Sequence, residues 1–244
     1  MLLNKEIEQQ HLIAQQKLSL LTNYYDWAFE LINFQSGNRI WDSSAGIGNL
    51  SMKLIDKCEF LLITEYSNEN LKILQEKFKD LKHVVIERCD LLNIDVQKYT
   101  TFNIDTIINL DVIEYIEDDQ KVLNDFYRVL ISGGRLLIKT PAHPFMYSEI
   151  DRKSLHFRRY SKKELRLKLE KAGFVVEKIR TINFFGALVY FLKGKMMKKK
   201  TNFSNTFSDK KLIKINKLIP FLIYFDKIVN IPIGLSYIVL AKKE

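Results

Sequence analysis

The chain has 244 residues, of which 47% are hydrophobic and 27% are charged, and this ordinary globular composition excludes wholesale disorder. Its two cysteines, Cys58 and Cys89, are too few for a disulfide framework or a zinc site, so we expect a reducing, cytoplasmic location. The net charge of +9 is concentrated in residues 193–217, which carry +8, so we expect any acidic partner to meet that segment.

The first two thirds of the chain alternate between helix and strand patterns. Apolar positions at helical spacing predict a helix over residues 5–34, without Pro or Gly to interrupt it. The strands that follow are predicted at 39–42, 60–65, 83–88, 104–110 and 134–140, and the helices between them at 48–56, 68–79 and 119–131. This alternation predicts a parallel sheet that is covered by helices on both faces.

The pattern changes after Pro141. A loop rich in aromatic residues leads to a helix predicted at 161–172, where Ser161 and Glu164 form a capping-box signature. A strand at 174–181 and a last strand at 235–241 enclose about fifty helix-like, Lys-rich residues. Two late strands without a standard crossover predict an antiparallel edge pair that carries this segment as an insertion.

Polar and glycine residues lie where the first three strands end. Gly46 and Gly48, in WDSSAGIGNL, allow a backbone turn to pass close to a ligand. Glu65 ends the second strand, where a carboxylate can accept hydrogen bonds from ribose hydroxyls, and Asp90 follows the third. Ligands of open parallel sheets bind at the carboxyl ends of the strands, so these residues together predict a nucleotide-type site.

Five stretches resemble the class I S-adenosylmethionine-dependent methyltransferases over roughly residues 20–180. They are WDSSAGIGNLS, ITEYS, RCDLL, INLDVIEYIEDD and RVLISGGRLLIKTPAHP. The sequences NYYDW and TPAHPFMYSEIDRKSLHFRRYS further resemble a bacterial branch often found with sugar and cell-surface biosynthesis. The resemblance implies a doubly wound, seven-stranded, mostly parallel sheet with an antiparallel last strand. It also implies S-adenosylmethionine as the cofactor, a small-molecule methyl acceptor and no metal ion.

The resemblance assigns cofactor contacts residue by residue. In chain order they are Tyr24, Tyr25, Asp42, Gly46, Gly48, Glu65, Tyr66, Asp90, Leu91, Asn109 and Asp111. Glu65 would bind the ribose, Asp90 the adenine, and Asp111 would lie near the methionine end. Tyr24 and Tyr25 would close over the cofactor, although packing of their helix onto the sheet is an equally good interpretation.

Two positions depart from the family pattern. Ser44 occupies a position where the family usually has glycine, and a positive φ there would cost a serine about 1 kcal/mol. Tyr115 occupies a position where many relatives have histidine, so a histidine base is excluded at that point.

Residues 141–161 would cover the acceptor side and hold two of the four histidines. Transfer to an alcohol or phenol needs a base, and the candidates are His156, His143 and Asp151, followed by Tyr115. We rank His156 first, because it lies among guanidinium groups and aromatic rings.

The expected acceptor contacts are Tyr115, Tyr147, Arg158 and Arg159. An arginine pair can bind a carboxylate or phosphate bidentately, which predicts an anionic or glycosyl acceptor. The alternative is structural. The arginines would then neutralise Asp151 and Glu149, and His156 would cap the helix that begins at Ser161.

The segment between the last two strands combines an apolar run with lysines. FFGALVYFL, residues 184–192, precedes a Lys-rich stretch that begins at Lys193 and ends at Lys217. An apolar run followed by lysines is typical of a helix that lies on anionic lipid, which would place the protein at the inner membrane face. A solvated lysine face over the sheet or an oligomer interface is an equal alternative. No apolar run reaches the roughly 20 residues of a membrane span, and the N-terminus lacks the apolar core of a secretion signal.

We therefore predict four units: an N-terminal helical cap (1–36), a cofactor-binding core (37–182), a basic amphipathic insertion (183–233) and a final strand (234–244). The leading function is O-methylation of a small molecule, namely a sugar-, phosphate- or lipid-linked acceptor near the membrane surface. A nicotinamide-dependent dehydrogenase is disfavoured because Ser51 replaces the third glycine of its motif. A nucleic acid partner is disfavoured, because the fourth-strand motif lacks a base-clamping signature and aromatics do not alternate with the lysines. A methyltransferase-like binding scaffold without activity is the non-enzyme alternative.

Overall fold

A computed structural model describes residues 5–33, 37–196, 208–228 and 231–244. Its strands are β1 (Arg39–Ser43), β2 (Phe60–Glu65), β3 (Val84–Arg88), β4 (Thr106–Leu110), β5 (Arg135–Pro141), β6 (Val175–Ile182) and β7 (Ser236–Lys242). They form one seven-stranded sheet in the order β3-β2-β1-β4-β5-β7-β6. Strand β7 pairs antiparallel with both β5 and β6, whereas the pairs among β1 to β5 are parallel. The predicted fold class is confirmed.

The helices flank this sheet. They are α1 (Lys5–Leu18), α2 (Thr22–Asn33), α3 (Ser51–Leu54), α4 (Asn68–Phe78), α5 (Val96–Thr100), α6 (Asp119–Val129), α7 (Glu149–Lys153), α8 (Lys162–Lys171), α9 (Phe184–Met196) and α10 (Asp209–Ile228). Short 3₁₀ turns occur at Leu91–Asn93, Ile113–Tyr115 and Pro144–Met146. Ser161 caps α8 as predicted, because its side chain accepts a hydrogen bond from the Glu164 N–H.

Two apolar cores lie on the opposite faces of the sheet. Successive strand residues point to opposite faces, so Trp41 packs with Phe126 of α6 while its neighbour Ile40 packs with Leu74 of α4. All four of these side chains are fully buried. With both faces covered in this way, the carboxyl edge of the sheet is the place where a ligand can approach the strand ends.

The predicted N-terminal helix is divided into α1 and α2. The chain turns at residues 19–21, where the Ser19 hydroxyl donates to the carbonyl of Gln16 at 2.6 Å. Leu21 is buried after the turn and packs against Leu212 and Ile219 of α10. The cause of the break is therefore a contact almost two hundred residues away in sequence, which local periodicity does not reveal.

The segment between β6 and β7 contains α9 and α10. Asp226 of α10 accepts hydrogen bonds from the backbone N–H groups of Asn183 and Phe184, which connects the two helices. Lys198, Lys199 and Lys200 of the predicted cationic segment lie outside the described residues. The division into four units remains a prediction.

Candidate active site

The turn after β1 has the backbone of a ligand-binding glycine turn. Gly46 and Gly48 have φ values of 61° and 75°, in the left-handed region that favours glycine. A side chain at Gly48 would lie 2.8 Å from the side-chain atoms of Leu74 and Phe78, so the turn could not pack on α4 with any larger residue. Ser51 stands where a dinucleotide-binding motif would have its third glycine. It is buried and donates a hydrogen bond to Asp42 at 2.6 Å, a contact that a glycine could not make.

Ser44 has a φ of 64°, so the condition under which a serine would be strained at this position is met. We predict that Ser44→Gly stabilises the fold by up to about 1 kcal/mol, raising the melting temperature by about 2–4 °C. Thermal unfolding of both proteins measures this. Ser132→Gly is the matched control, because Ser132 lies in a turn without a positive φ, and it should be neutral or slightly destabilising. A loss of stability in Ser44→Gly would contradict the argument.

Glu65 is fixed against the glycine turn. Its Oε2 accepts a hydrogen bond from the Gly46 N–H at 2.8 Å, and its Oε1 accepts from the N–H groups of Tyr66 and Ser67 at 3.0 Å each. Burial raises the pKa of Glu65, and the three backbone donors oppose that rise. The structure therefore brings two of the predicted cofactor residues, Gly46 and Glu65, into direct contact.

Asp42 lies in the same crevice. Burial raises the pKa of Asp42 to about 6, the Ser51 hydroxyl opposes the rise, and the nearby Glu65 carboxylate adds to it. Two acidic groups thus converge between β1 and β2. A ligand that brings hydroxyl or N–H donors would stabilise both of them.

Asp90 lies at the neighbouring strand end. The N–H of Cys89 donates to the carbonyl of Glu65 at 3.0 Å, which connects the two strand ends. The Asp90 carboxylate accepts from the Leu92 N–H and from the Asn93 side chain, so it already caps a local turn. Each of its oxygens has further lone pairs, and its role at the adenine stays a prediction. Leu91 is buried in the core, and the Tyr66 ring packs under the guanidinium of Arg88.

The end of β4 meets a buried lysine that the sequence analysis did not identify. Lys139 of β5 donates to Asp111 at 2.6 Å, and its ammonium lies 5.5 Å from the ring centroid of Tyr24. Burial alone would lower the pKa of Lys139, but Asp111 raises it well above its usual range. The available signal was a charged residue inside the otherwise apolar strand LLIKT. The side chain of Asn109 is also buried at this edge, and it donates to Ser43.

Tyr24 and Tyr25 of α2 lie over the same edge of the sheet. Their rings meet edge to face at 5.4 Å, and the Tyr25 hydroxyl accepts a hydrogen bond from Asn49 of the glycine turn. Burial raises the pKa of Tyr24 to about 12, with opposing effects from Lys139 and Asp111. Packing of α2 on the sheet is therefore observed, and closure of the two tyrosines over the cofactor stays a prediction.

Buried acceptors without donors occur along this edge. Among the described residues, Gln15 Oε1, Asn109 Oδ1 and Glu114 Oε1 are buried and have no hydrogen-bond partner. Burial and the nearby Asp111 raise the pKa of Glu114 to about 8. Amide oxygens that lack donors, beside acidic groups, suit a ligand that carries N–H groups and positive charge. The ammonium and sulfonium groups of S-adenosylmethionine meet that description.

His156 and Asp151 form a hydrogen-bonded pair in the segment 141–161, which is expected to cover the acceptor. His156 Nδ1 lies 3.0 Å from Asp151 Oδ1, and the Tyr115 ring packs edge-on against the imidazole at 4.6 Å. Burial would raise the pKa of Asp151, but hydrogen bonds from His156 and Arg159 lower it to about 2. An ionised carboxylate at Nδ1 favours the tautomer with its lone pair on Nε2, which is the form that a general base requires.

His143 is placed differently. Its Nε2 accepts from the Gly234 N–H at 3.3 Å, and its Nδ1 lies 3.2 Å from the Tyr237 hydroxyl. Burial lowers the pKa of His143, and the charge of Arg159 lowers it further. With both ring nitrogens engaged beside β7, its geometry favours a structural role over that of the base.

The two predicted acceptor arginines are held by the protein itself. Arg159 is buried and donates to Asp151 at 2.9 Å, and Arg158 donates to Asp119 at 3.0 Å. The structural interpretation therefore fits Arg159, whereas Glu149 pairs with Arg152 instead. Both arginine residues line an open cavity of about 230 Å³, together with Pro144, Tyr147 and Phe157.

Tyr190 reaches this cluster from α9, and the sequence analysis missed it. Its hydroxyl donates to Asp151 and lies 2.8 Å from the Ser148 hydroxyl, and its ring packs against Arg159 at 4.2 Å. The insertion between β6 and β7 thus helps to hold the Asp151 carboxylate that orients His156. No sequence pattern marks this contact, because the residues are 39 positions apart.

Two features are absent from the described part of the chain. It contains no group of three or more His, Cys, Asp or Glu side chains that could hold a metal ion. None of its helices combines the length and the apolar character that a membrane crossing requires.

Comparisons with known proteins agree with this architecture. The match to the [4+2]-cyclase SpnF covers 91% of this chain and 81% of the SpnF chain, at 14% identity and with a TM-score of 0.61. The match to the S-adenosylmethionine-dependent methyltransferase from Mesorhizobium loti covers 85% of this chain and 92% of that protein's chain, at 14% identity and with a TM-score of 0.58. A third neighbour is the geranyl diphosphate C-methyltransferase from Streptomyces coelicolor A3(2), solved with Mg²⁺, geranyl diphosphate and S-adenosyl-L-homocysteine. The match covers 86% of this chain and 73% of that protein's chain, at 14% identity and with a TM-score of 0.58. At these identities the likeness shows the fold.

Sequence comparison adds a family. The probable polyketide synthase 42 of Dictyostelium discoideum is 26% identical over 136 residues, which are 48% of this chain and only 5% of that relative. A family model described as a methyltransferase domain matches residues 41–136, which include the glycine turn and Glu65. The predicted resemblance is confirmed over residues 41–136, which match this methyltransferase-domain model.

Proposed function

We propose that this protein transfers a methyl group from S-adenosylmethionine to an oxygen atom of a small-molecule acceptor. The observation that carries the proposal is the Glu65 carboxylate, which is fixed by hydrogen bonds to the glycine turn at the carboxyl edge of β1 and β2. Glu65 would bind the ribose hydroxyls there. The amide acceptors Gln15 and Asn109 would meet the cationic end of the cofactor.

The acceptor side supports transfer to oxygen. When bound, the cofactor supplies a methyl group already activated by the sulfonium. The protein has to hold the acceptor in line, about 3 Å from that carbon, and exclude water. His156 would take the hydroxyl proton on Nε2, with Asp151 holding the ring through Nδ1. Arg158 and Tyr147, at the cavity beside this pair, are the proposed contacts for an anionic or glycosyl group.

Binding measurements test the proposal against its alternatives. Titration calorimetry with S-adenosylmethionine, S-adenosylhomocysteine and NAD should show binding of the first two only. No binding of any of the three would favour a scaffold without activity, because a fold alone does not determine the function it carries. A screen with labelled cofactor on lipid, sugar and nucleic acid fractions of a lysate would then identify the acceptor class.

We also propose that α9 and α10 bring the active site to an anionic membrane surface. The outer face of α10 begins with exposed lysines at 210, 214 and 217 and ends with Phe221 and Tyr224, which are 66% and 64% exposed. Leu188 and Leu192 of α9 are exposed as well. Cationic and apolar side chains on one helix face suit an interface of charged headgroups and acyl chains.

Vesicle sedimentation tests this proposal. Each lysine near an anionic surface contributes about 1 kcal/mol, so replacing Lys210, Lys214 and Lys217 by Glu should weaken binding to phosphatidylserine vesicles about 100-fold or more. The control replaces the exposed residues Lys57, Lys72 and Lys82 by Glu, an equal change of charge elsewhere. Equal losses in both variants, or no binding by the wild type, would contradict a dedicated membrane face.

A further inference from the structure

We propose that Gln15 of α1 binds the amino-acid end of the cofactor, which makes α1 a lid on the glycine turn. The inference rests on the proposed use of S-adenosylmethionine and adds a residue that neither the motifs nor the comparisons identify. Three observations support it: the position of the Gln15 amide, its unused oxygen and the attachment of α1.

The Gln15 amide occupies the space that Gly46 leaves open. A side-chain carbon added to Gly46 would lie 2.8 Å from Gln15 Nε2 and 3.1 Å from Gln15 Oε1. Gly46 is also the residue whose N–H binds Glu65. A side chain from outside the core domain therefore lies directly against the turn that would receive the ligand.

The amide oxygen of Gln15 is an acceptor without a donor. It is buried, and no hydrogen-bond partner is found for it among the described residues. A buried carbonyl oxygen is costly to leave unpaired, so a ligand group that donates a hydrogen bond would be favoured at this position. Of the groups on the cofactor, the α-ammonium is the charged N–H donor, and charged donors form the stronger hydrogen bonds.

The neighbours of Gln15 indicate which end of the ligand it would meet. The Asn49 side chain donates to the backbone carbonyl of Gln15 at 3.4 Å and to the Tyr25 hydroxyl at 3.2 Å. Tyr25 packs on Tyr24, which faces the pair of Asp111 and Lys139. Gln15 thus lies over the glycine turn after β1, beside the two tyrosines that border Asp111 and Lys139 at the ends of β4 and β5.

Helix α1 is attached in the manner of a lid. Its last residue, Leu18, packs with α10 through a small apolar cluster that includes Leu212 and Ile219. The glycine turn is met by the polar side chain of Gln15 and by one backbone carbonyl. A helix held by apolar contacts at one end and by polar contacts over the site can release the site without losing its anchor.

The test compares two ligands that differ at one end. S-adenosylhomocysteine carries the amino-acid group, and 5′-methylthioadenosine lacks it. Gln15→Met keeps the length and helix propensity of the side chain but removes the acceptor oxygen. By calorimetry we expect about 10-fold weaker binding of S-adenosylhomocysteine and less than 2-fold change for 5′-methylthioadenosine. Gln16→Met, at the exposed neighbouring position, should change neither affinity.

Other outcomes overturn the inference in distinguishable ways. If Gln15→Met loses affinity equally for both ligands, Gln15 has a structural role only. If the variant binds both ligands more tightly, the Gln15 side chain blocks the site. Unchanged binding of both would show that the oxygen contacts no ligand. If the wild type binds neither ligand, the proposed function itself fails, and this inference fails with it.

Discussion

Replacing His156 with alanine is expected to reduce methyl transfer about 10²–10⁴-fold, the usual contribution of a general base. The imidazole is oriented by Asp151 through Nδ1, and its Nε2 would lose the proton-accepting role when the ring is removed. The glycine turn and Glu65 lie on other elements, so the affinity for S-adenosylhomocysteine should change less than 2-fold. Single-turnover kinetics with the identified acceptor, together with calorimetry, measure both quantities.

Two variants control for indirect effects. Asp151→Asn should also reduce turnover, because an amide no longer stabilises the imidazolium form, but it will lower stability since Asp151 is buried beside Arg159. His143→Ala removes the other loop histidine, whose two nitrogens bind Gly234 and Tyr237, and should retain most of the activity. A fully active His156→Ala protein with an inactive His143→Ala protein would transfer the role of base to His143.

The sequence was sufficient wherever the signal was local. All seven predicted strands are present, and the structure moves their boundaries by at most two residues. Alternating strand and helix patterns determined the sheet, and the lack of a crossover before the last strand determined its antiparallel direction. The resemblance to the family raised a positive φ at Ser44 only as a condition, and the structure shows that the condition is met.

The sequence was insufficient wherever a contact joins distant segments. Gln15 contacts the glycine turn, which lies about thirty residues later in the sequence. Lys139 of β5 binds Asp111 at the end of the neighbouring strand β4, and Tyr190 of the insertion binds Asp151. Gln15 and Tyr190 stand in ordinary helical patterns, and the charge of Lys139 inside an apolar strand does not by itself indicate its partner. The same reason explains the break before α2, since Leu21 is buried by α10. Such pairs arise from the packing of elements, which a single sequence does not encode locally.

The second large effect is expected at Glu65. Glu65→Ala should weaken S-adenosylmethionine binding by about 1–3 kcal/mol, or about 5–150-fold, because a charged acceptor for two ribose hydroxyls is lost. Glu65 also accepts three backbone hydrogen bonds in the free protein, so the variant will be less stable as well. Calorimetry well below the melting temperature of the variant separates the two losses.

Two further variants separate ribose recognition from support of the turn. Glu65→Gln keeps the shape but loses the charge and one acceptor oxygen, so its affinity should fall between those of the wild type and Glu65→Ala. Glu69→Ala removes an exposed acid in the first turn of α4 and should leave the affinity unchanged. Adenosine, which retains both ribose hydroxyls, should lose affinity for Glu65→Ala as S-adenosylmethionine does, whereas 2′,3′-dideoxyadenosine should not. Equal affinity of the wild type and Glu65→Ala for adenosine would show that the ribose binds elsewhere and would remove the central support for the proposed cofactor site.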